Sequence, residues 1–298
     1  YEDVQDPTAG EGEYVVRVRA AGVNPVDWKI VRGYLAKGIP HAMPFVPGWD
    51  LAGEIIARGH GARRFSVGDR VYGYVRRPSV DRGTYAEQQA VPECYLAKMP
   101  ARAAFDVAAG LPLVTLTSLQ SLRAAGLAAG QRLLVLGASG GTGAAAVQLA
   151  RILGAEVAGV ASAKNHDYVR SLGASAVYDY AGATPAGLVG VDAGSFDVIY
   201  DYIGGDTLRA ARPALRTGGH AVSITTRNAP GWEDLADRYH YVFVEPNSAQ
   251  LDEIARWFDE GRLTTHIDAR FPLSRAAEAH ALSEKAHTRG KIVVTMGD

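Results

Sequence analysis

The residues best placed to do chemistry form the run Gly137-Ala-Ser-Gly-Gly-Thr-Gly143. An apolar segment, Arg132-Leu-Leu-Val-Leu-Gly, leads into it, and a helix-compatible stretch, Gly143-Ala-Ala-Ala-Val-Gln-Leu-Ala-Arg-Ile-Leu, leads out and stops at Gly154. Glycines let a backbone turn tightly and come close to a phosphate. A helix opening there presents unpaired N–H groups and the positive end of its dipole. Matched to G-x-G-x-x-G, the key positions are Ala138, Gly140 and Gly143, with alanine where the first glycine is usual. Ser139, Gly141 and Thr142 fill the loop between them. Strand, glycine loop and helix in that order point to the pyrophosphate of a dinucleotide.

Which dinucleotide is decided about 20 residues further on, where an NAD site places Asp or Glu against the ribose hydroxyls. This chain reads Val160-Ala-Ser-Ala-Lys-Asn165 there, without a carboxylate. Ser162 and Lys164 can donate to a 2′-phosphate, and Tyr180, closing the third strand region, can add a donor. NADPH is the expected cofactor. Asp201-Tyr-Ile-Gly-Gly205 and Ser223-Ile-Thr-Thr226 follow two further strands at their C-terminal ends. With Phe243 and Val244 they are expected to flank the riboses, Ile203 and Ile224 included. Arg289 and Lys291 form a basic pair able to reach the phosphates.

The elements that must hold these residues differ between the two ends of the chain. From Tyr14 to about residue 100, short alternating runs such as Tyr14-Val-Val-Arg-Val-Arg-Ala and Leu51-Ala-Gly-Glu-Ile-Ile-Ala read as half-buried strands. From about Ala108, strand-like runs alternate with helical ones: 132–136, 156–161, 176–178, 196–200, 220–224 and 239–244 against helices after Gly143 and at 166–172. That rhythm is a doubly wound parallel sheet. After Pro246 come a helix at 249–260, a strand at 262–267, a helix at 274–285 and a strand at 291–296. These are too few for a third domain and are expected to return to the first. The expected division is 1–107 with 249–298 for the β-rich module, and 108–248 for the Rossmann dinucleotide-binding domain. The last Rossmann strand would be an edge, able to pair with a second copy in a homodimer.

Composition narrows the partners. With 298 residues, two domains are the reasonable prior. A net charge of −1 argues against nucleic acid or an anionic membrane as the main partner. Cys94 is the single cysteine and the eight histidines are scattered, so neither an intrachain disulfide nor a metal cluster is expected. No apolar run reaches the ~18–20 residues of a membrane span, and no signal-peptide pattern opens the chain, so a cytoplasmic protein is expected.

Several segments together carry a family resemblance. Ala20-Ala-Gly-Val-Asn-Pro-Val-Asp-Trp-Lys29, Pro44-Phe-Val-Pro-Gly-Trp-Asp-Leu-Ala-Gly53, Phe65-Ser-Val-Gly-Asp-Arg-Val-Tyr-Gly73, Gly110-Leu-Pro-Leu-Val-Thr-Leu-Thr117, the glycine loop and Arg289-Gly-Lys-Ile-Val-Val294 resemble the medium-chain dehydrogenase/reductase superfamily. The closest likeness is to its zinc-free quinone oxidoreductase branch, which includes the 2-alkenal and enone reductases. The resemblance runs in order over nearly the whole chain, and relatives usually begin about one strand earlier. It implies a GroES-like catalytic domain, a Rossmann domain, the cofactor in the cleft between them, and NADPH-dependent reduction. Zinc-containing relatives carry their Cys and His ligands at positions that correspond here to Asn24, Trp49 and Leu113. Trp and Leu cannot ligate zinc and Asn is a poor ligand, so no metal is expected.

For such a reductase, hydride adds to a carbon made electrophilic by conjugation, or to a quinone, and negative charge develops on oxygen. Lys29 is the expected cation for that oxygen, and Asn24 an amide able to bond carbonyl or nicotinamide groups; both rest mainly on their place in the family pattern. A turn at Asn24-Pro25 and an Asp27–Lys29 pair are the plain structural alternatives. Thr117 is implied to bond the cofactor near its nicotinamide, and Trp49 and Tyr72 are candidate walls of the substrate pocket. An enoyl-thioester reductase and a catalytically silent NADPH-binding sensor are the competing readings.

Overall fold

A computed structural model describes residues 1–184 and 186–297. The chain opens with β1 (Glu13–Val23), α1 (Pro25–Val31), β2 (His41–Val46), β3 (Asp50–Arg58), β4 (Arg70–Tyr74) and β5 (Val80–Arg82). β6 (Gln88–Pro92), β7 (Leu96–Lys98), α2 (Phe105–Ala109) and α3 (Pro112–Ala124) follow. The alternating part comprises β8 (Arg132–Leu136), α4 (Gly141–Ile152), β9 (Glu156–Val160), α5 (His166–Ser171), β10 (Ala176–Tyr178), β11 (Phe196–Asp201), α6 (Gly205–Ala211), β12 (Leu215–Ser223) and β13 (Tyr239–Tyr241). The chain closes with α7 (Ser248–Asp259), β14 (Ile267–Pro272), α8 (Ala276–Glu284) and β15 (Lys291–Thr295).

Two compact units result: residues 1–116 with 245 onward, and residues 117–244. The sequence reading sets these limits at 107/108 and 248/249; the observed first limit falls inside α3, and the expected end at Asp298 lies outside the described residues.

In the first unit β1 is the hub. Its alternation buries Tyr14, Val16 and Val18 on one face, and its length lets it pair antiparallel with β3, β6 and β15. The sheet runs β14-β15-β1-β3-β4-β7 with β6 on β1, and β2 and β5 make a separate pair. Its core gathers Tyr14, Val16, Leu51, Ile55, Val71, Leu96 and Val294. The C-terminal tail joins this sheet, as Ala20–Val23 of β1 pairs with residues 292–295. The strand expected from Arg262 begins only at Ile267.

The second unit is a six-stranded sheet in the order β10-β9-β8-β11-β12-β13, all neighbours parallel. Counting from β8 this is 3-2-1-4-5-6, the doubly wound order whose reversal lies between β8 and β11. Leu133 to Leu136 are wholly buried, which is why β8 reads as an unbroken apolar run. The last strand is shorter than expected and ends at Tyr241. His220 on β12 and His240 on β13 join ring nitrogens at 3.2 Å with ring planes 3° apart, a structural pair.

Candidate active site

The glycine loop follows β8 at the switch point of the second unit. Gly137 takes φ +76°, which a side chain would oppose, and its Cβ would stand 2.7 Å from Ile203 Cδ1. Ala138, in place of the first glycine, is fully buried, and its N–H donates to Val160 O at 2.9 Å. Its methyl is tolerated because β9 has glycine opposite: a Cβ on Gly159 would meet Ala138 Cβ at 2.7 Å. At Gly143 a Cβ would lie 1.9 Å from the Tyr202 hydroxyl and 2.6 Å from Gly137 O, so only glycine lets α4 come this close to the sheet. Gly140 is the N-cap, and no side-chain cap bonds the first turn of α4. Uncapped amides at this turn are the feature by which the motif is expected to seat an anion. Ser118 Oγ donates to Thr142 O at 2.8 Å, tying α3 to this turn. Thr117 Oγ1, buried beside Ser118 in the chain, has no hydrogen-bond partner among the described residues. An orphaned hydroxyl and an uncapped glycine turn both suit a bound dinucleotide.

Asp201 organises the neighbouring loops, a role for which its sequence signal was an acid at a strand end before Gly-Gly. Its Oδ1 accepts from the amides of Ile203 (2.9 Å) and Gly204 (2.7 Å). Its Oδ2 accepts from Ser223 Oγ (2.7 Å) and Thr225 Oγ1 (3.3 Å). Ile203 and Ile224, both expected beside the riboses, are therefore set by one residue, the Ile203 amide by the Asp201 carboxylate and the Ile224 amide by the Asp201 backbone carbonyl at 3.1 Å. Ile203 and Phe243 are exposed and Val244 is buried.

At the end of β9, Ser162 is half-buried while Lys164 and, after β10, Tyr180 are exposed. Asn165, not singled out from sequence, donates from Nδ2 to Ser162 Oγ (3.1 Å) and Ser139 Oγ (3.3 Å), linking the expected 2′-phosphate donors to the glycine loop. Asp179 sits at the end of β10, but both its oxygens accept backbone amides, from Ala163 and Ala181.

The first unit holds a buried charged cluster that revises three expectations. Lys291 Nζ donates to Val23 O (2.7 Å) and Asn24 Oδ1 (2.5 Å) and lies 4.0 Å from Asp50 Oδ2. A buried ammonium requires partners, and Lys291 finds them here, so its expected use on cofactor phosphates is corrected. Asn24 is likewise fully buried: Oδ1 serves Lys291, and Nδ2 donates to Asp50 Oδ2 at 2.8 Å, leaving one N–H of the amide for any other use. Asp50 also accepts the Leu113 amide at 2.9 Å. Asp27 does not pair with Lys29; its Oδ2 takes the Asn24 amide (2.8 Å) and the Tyr85 hydroxyl (3.0 Å). Burial pushes the Asp50 carboxyl up to about 6 against the pull of Lys291, and raises Asp27 as well. Lys29 stays half-exposed, its ammonium 5.5 Å from the Trp28 ring centre.

Tyr72 is a separate revision, outside that cluster. It is fully buried, with its hydroxyl donating to Leu251 O at 2.6 Å, and is a core residue rather than a pocket wall. Trp49 packs edge-on to Tyr74, centroids 6.0 Å apart. Among the described residues no group of three or more His, Cys, Asp or Glu side chains is placed to hold a metal ion, and no helix is long and apolar enough to cross a membrane.

Residues 10–101 match the family model described as the alcohol dehydrogenase GroES-like domain, and residues 172–294 the one described as zinc-binding dehydrogenase. A GroES-like unit with a parallel dinucleotide-type sheet defines an oxidoreductase of the alcohol dehydrogenase type. The chain is 32% identical to the chloroplast envelope quinone oxidoreductase homolog of Arabidopsis thaliana, over 97% of this chain and 91% of the relative. To the chloroplastic NADPH-dependent alkenal/one oxidoreductase of the same plant it is 33% identical, over 97% and 73%. The solved quinone oxidoreductase of Coxiella burnetii matches with a TM-score of 0.83 at 28% identity, covering 99% of this chain and 93% of that one. The chain belongs to the medium-chain dehydrogenase/reductase superfamily, within the branch of quinone oxidoreductases and alkenal/one reductases.

Proposed function

We propose that this protein uses NADPH, without zinc, to reduce a quinone or the activated C=C of an α,β-unsaturated carbonyl. The observation that carries the reading is the uncapped first turn of α4 under a glycine loop at the switch point of the sheet. The names of the similar proteins supply the substrate class. The preference for NADPH rests on Ser162 and Lys164 and on the lack of a carboxylate at the end of β9. Zinc independence rests on residue chemistry: Asn24, one of the positions that carry zinc ligands in metal-bearing relatives, is bonded to the Lys291 ammonium, and a second cation beside it would be repelled. As the edge of its sheet, β13 is where a second copy would pair.

When bound, a reduced nicotinamide supplies a hydride. The residues that would hold the nucleotide are Gly140 to Gly143 at the diphosphate, Thr117 toward the nicotinamide, Ile203 and Ile224 at the riboses, and Ser162, Lys164 and Tyr180 at the 2′-phosphate. Thr117 Oγ1 has its donor free for this purpose. Lys29 offers a mobile ammonium to the oxygen on which charge accumulates, a contact stronger in the transition state than before it. The buried Asn24–Lys291–Asp50 cluster fixes the junction between β1 and α1, the helix from which Lys29 projects.

Steady-state oxidation of NADPH and NADH against quinones, 2-alkenals, cyclic enones and enoyl thioesters tests the reading. Turnover of quinones or enones with a clear preference for NADPH is expected. Equal rates with NADH would remove the roles of Ser162 and Lys164, and turnover confined to enoyl thioesters would favour the biosynthetic reductase.

A further inference from the structure

Buried polar atoms without partners mark places where a fold is held for something other than its own stability. Tyr202, just beyond β11, carries such an atom. Its ring tilts against Tyr200 with centroids 6.0 Å apart, and its hydroxyl reaches under the glycine loop, where no complete hydrogen bond closes on it among the described residues. The approach is close: a Cβ on Gly143 would stand 1.9 Å from the hydroxyl oxygen, and one on Gly140 3.5 Å from it. The oxygen thus faces the backbone of two loop glycines at once. Gly140 N–H already turns inward to Gly137 O at 3.1 Å. With the Gly140 amide turned inward and the Gly143 backbone set against the hydroxyl, the amides that remain for a ligand at the mouth of the helix are those of Gly141 and Thr142.

We propose that Tyr202 is a positioning residue of the diphosphate seat, its hydroxyl bracing the inner face of the loop at Gly140 and Gly143 so that the Gly141 and Thr142 amides are held for the ligand. The inference rests on the dinucleotide reading of the same loop and names a residue that the glycine pattern does not contain. A phenol suits the role because its ring is anchored at a strand end and delivers one oxygen at fixed reach. Burial keeps that hydroxyl protonated far above neutrality, with Tyr200 adding to the effect and the loop amides opposing it, so the brace does not titrate in the working range.

Tyr202→Phe keeps the ring and removes the oxygen. Tyr200→Phe removes a buried hydroxyl two residues earlier, on β11 and on the side of Ser118 and Ser121, and serves as the control. NADPH and 2′-AMP affinities are measured by equilibrium titration on both variants and on the unaltered protein, together with kcat at saturating NADPH. The expected result for Tyr202→Phe is a roughly five- to ten-fold rise in Kd for NADPH. Its Kd for 2′-AMP, which has no diphosphate, and its kcat stay unchanged, and Tyr200→Phe binds NADPH normally. An unchanged NADPH Kd in Tyr202→Phe would overturn the proposal. So would parallel weakening of 2′-AMP, or an equal loss in Tyr200→Phe, since each describes general loosening. If the unaltered protein bound no NADPH, the dinucleotide reading would fall and take this inference with it; if it bound and Tyr202→Phe matched it, only this inference would fall.

Discussion

Lys164 carries its charge into solvent at the end of β9, and nothing in the fold requires it there. Its value is in what it can attract. Lys164→Ala should raise the KM for NADPH by about ten-fold and leave that for NADH alone, because the lost contact is to the 2′-phosphate only. Equal effects on both coenzymes in steady-state assays would assign Lys164 to general surface charge. At this scale residue type was legible in the chain but partnership was not. Lys291 reads as half of a basic pair with Arg289, whereas its ammonium is drawn to Asn24, 267 positions away. Asn24 and Lys291, expected at different ends of a cofactor, instead satisfy each other. Tyr72 shows the same limit, since an aromatic that walls a pocket and one that fills a core look alike until the Leu251 carbonyl is found on its hydroxyl.

The loop between β8 and α4 is where an element's geometry, more than any side chain, does the work. Gly143→Ala should abolish measurable NADPH binding, because the new methyl meets Tyr202 and the Gly137 carbonyl and pushes α4 off the sheet. Gly140→Ala should cost far less, since its Cβ finds nothing nearer than 3.5 Å. Titration of the two variants with NADPH checks the contrast, and similar losses in both would show that glycine is needed there for another reason. The strand–loop–helix order was readable because an apolar parallel strand and an uncapped alanine-rich helix leave strong local signals. The alanine at position 138 departs from the glycine pattern, and its reason lies on another strand, where Gly159 makes room. Strand ends were read less well. The region 262–266 is β-like in composition but the strand starts only at Ile267, and the strand after Arg238 ends at Tyr241.

Across the whole molecule, the doubly wound parallel sheet and the family pattern were legible, because each depends on the succession of elements rather than on contacts. The buried charges of the first unit were not, and they give the protein a pH dependence. The folded state raises the carboxyl pKa of Asp50 to about 6 and raises that of Asp27, so it favours their protonated forms relative to the unfolded chain. That contribution is full below the ordinary carboxylate range and is lost as pH rises through about 6 to 7. Asp27→Asn removes one of these titrations, so its Tm relative to the unaltered protein should increase between pH 5 and pH 8, by an amount on the order of 1–2 kcal/mol in stability. Parallel Tm curves would show that Asp27 does not titrate in that range. The most direct test of the function is a single-turnover experiment on protein dialysed against a chelator, mixing it with NADPH and then with a quinone or a 2-alkenal. Loss of the reduced nicotinamide absorbance, one equivalent per equivalent of acceptor consumed, is the expected result; no loss, or loss that returns only when zinc is added back, would contradict it.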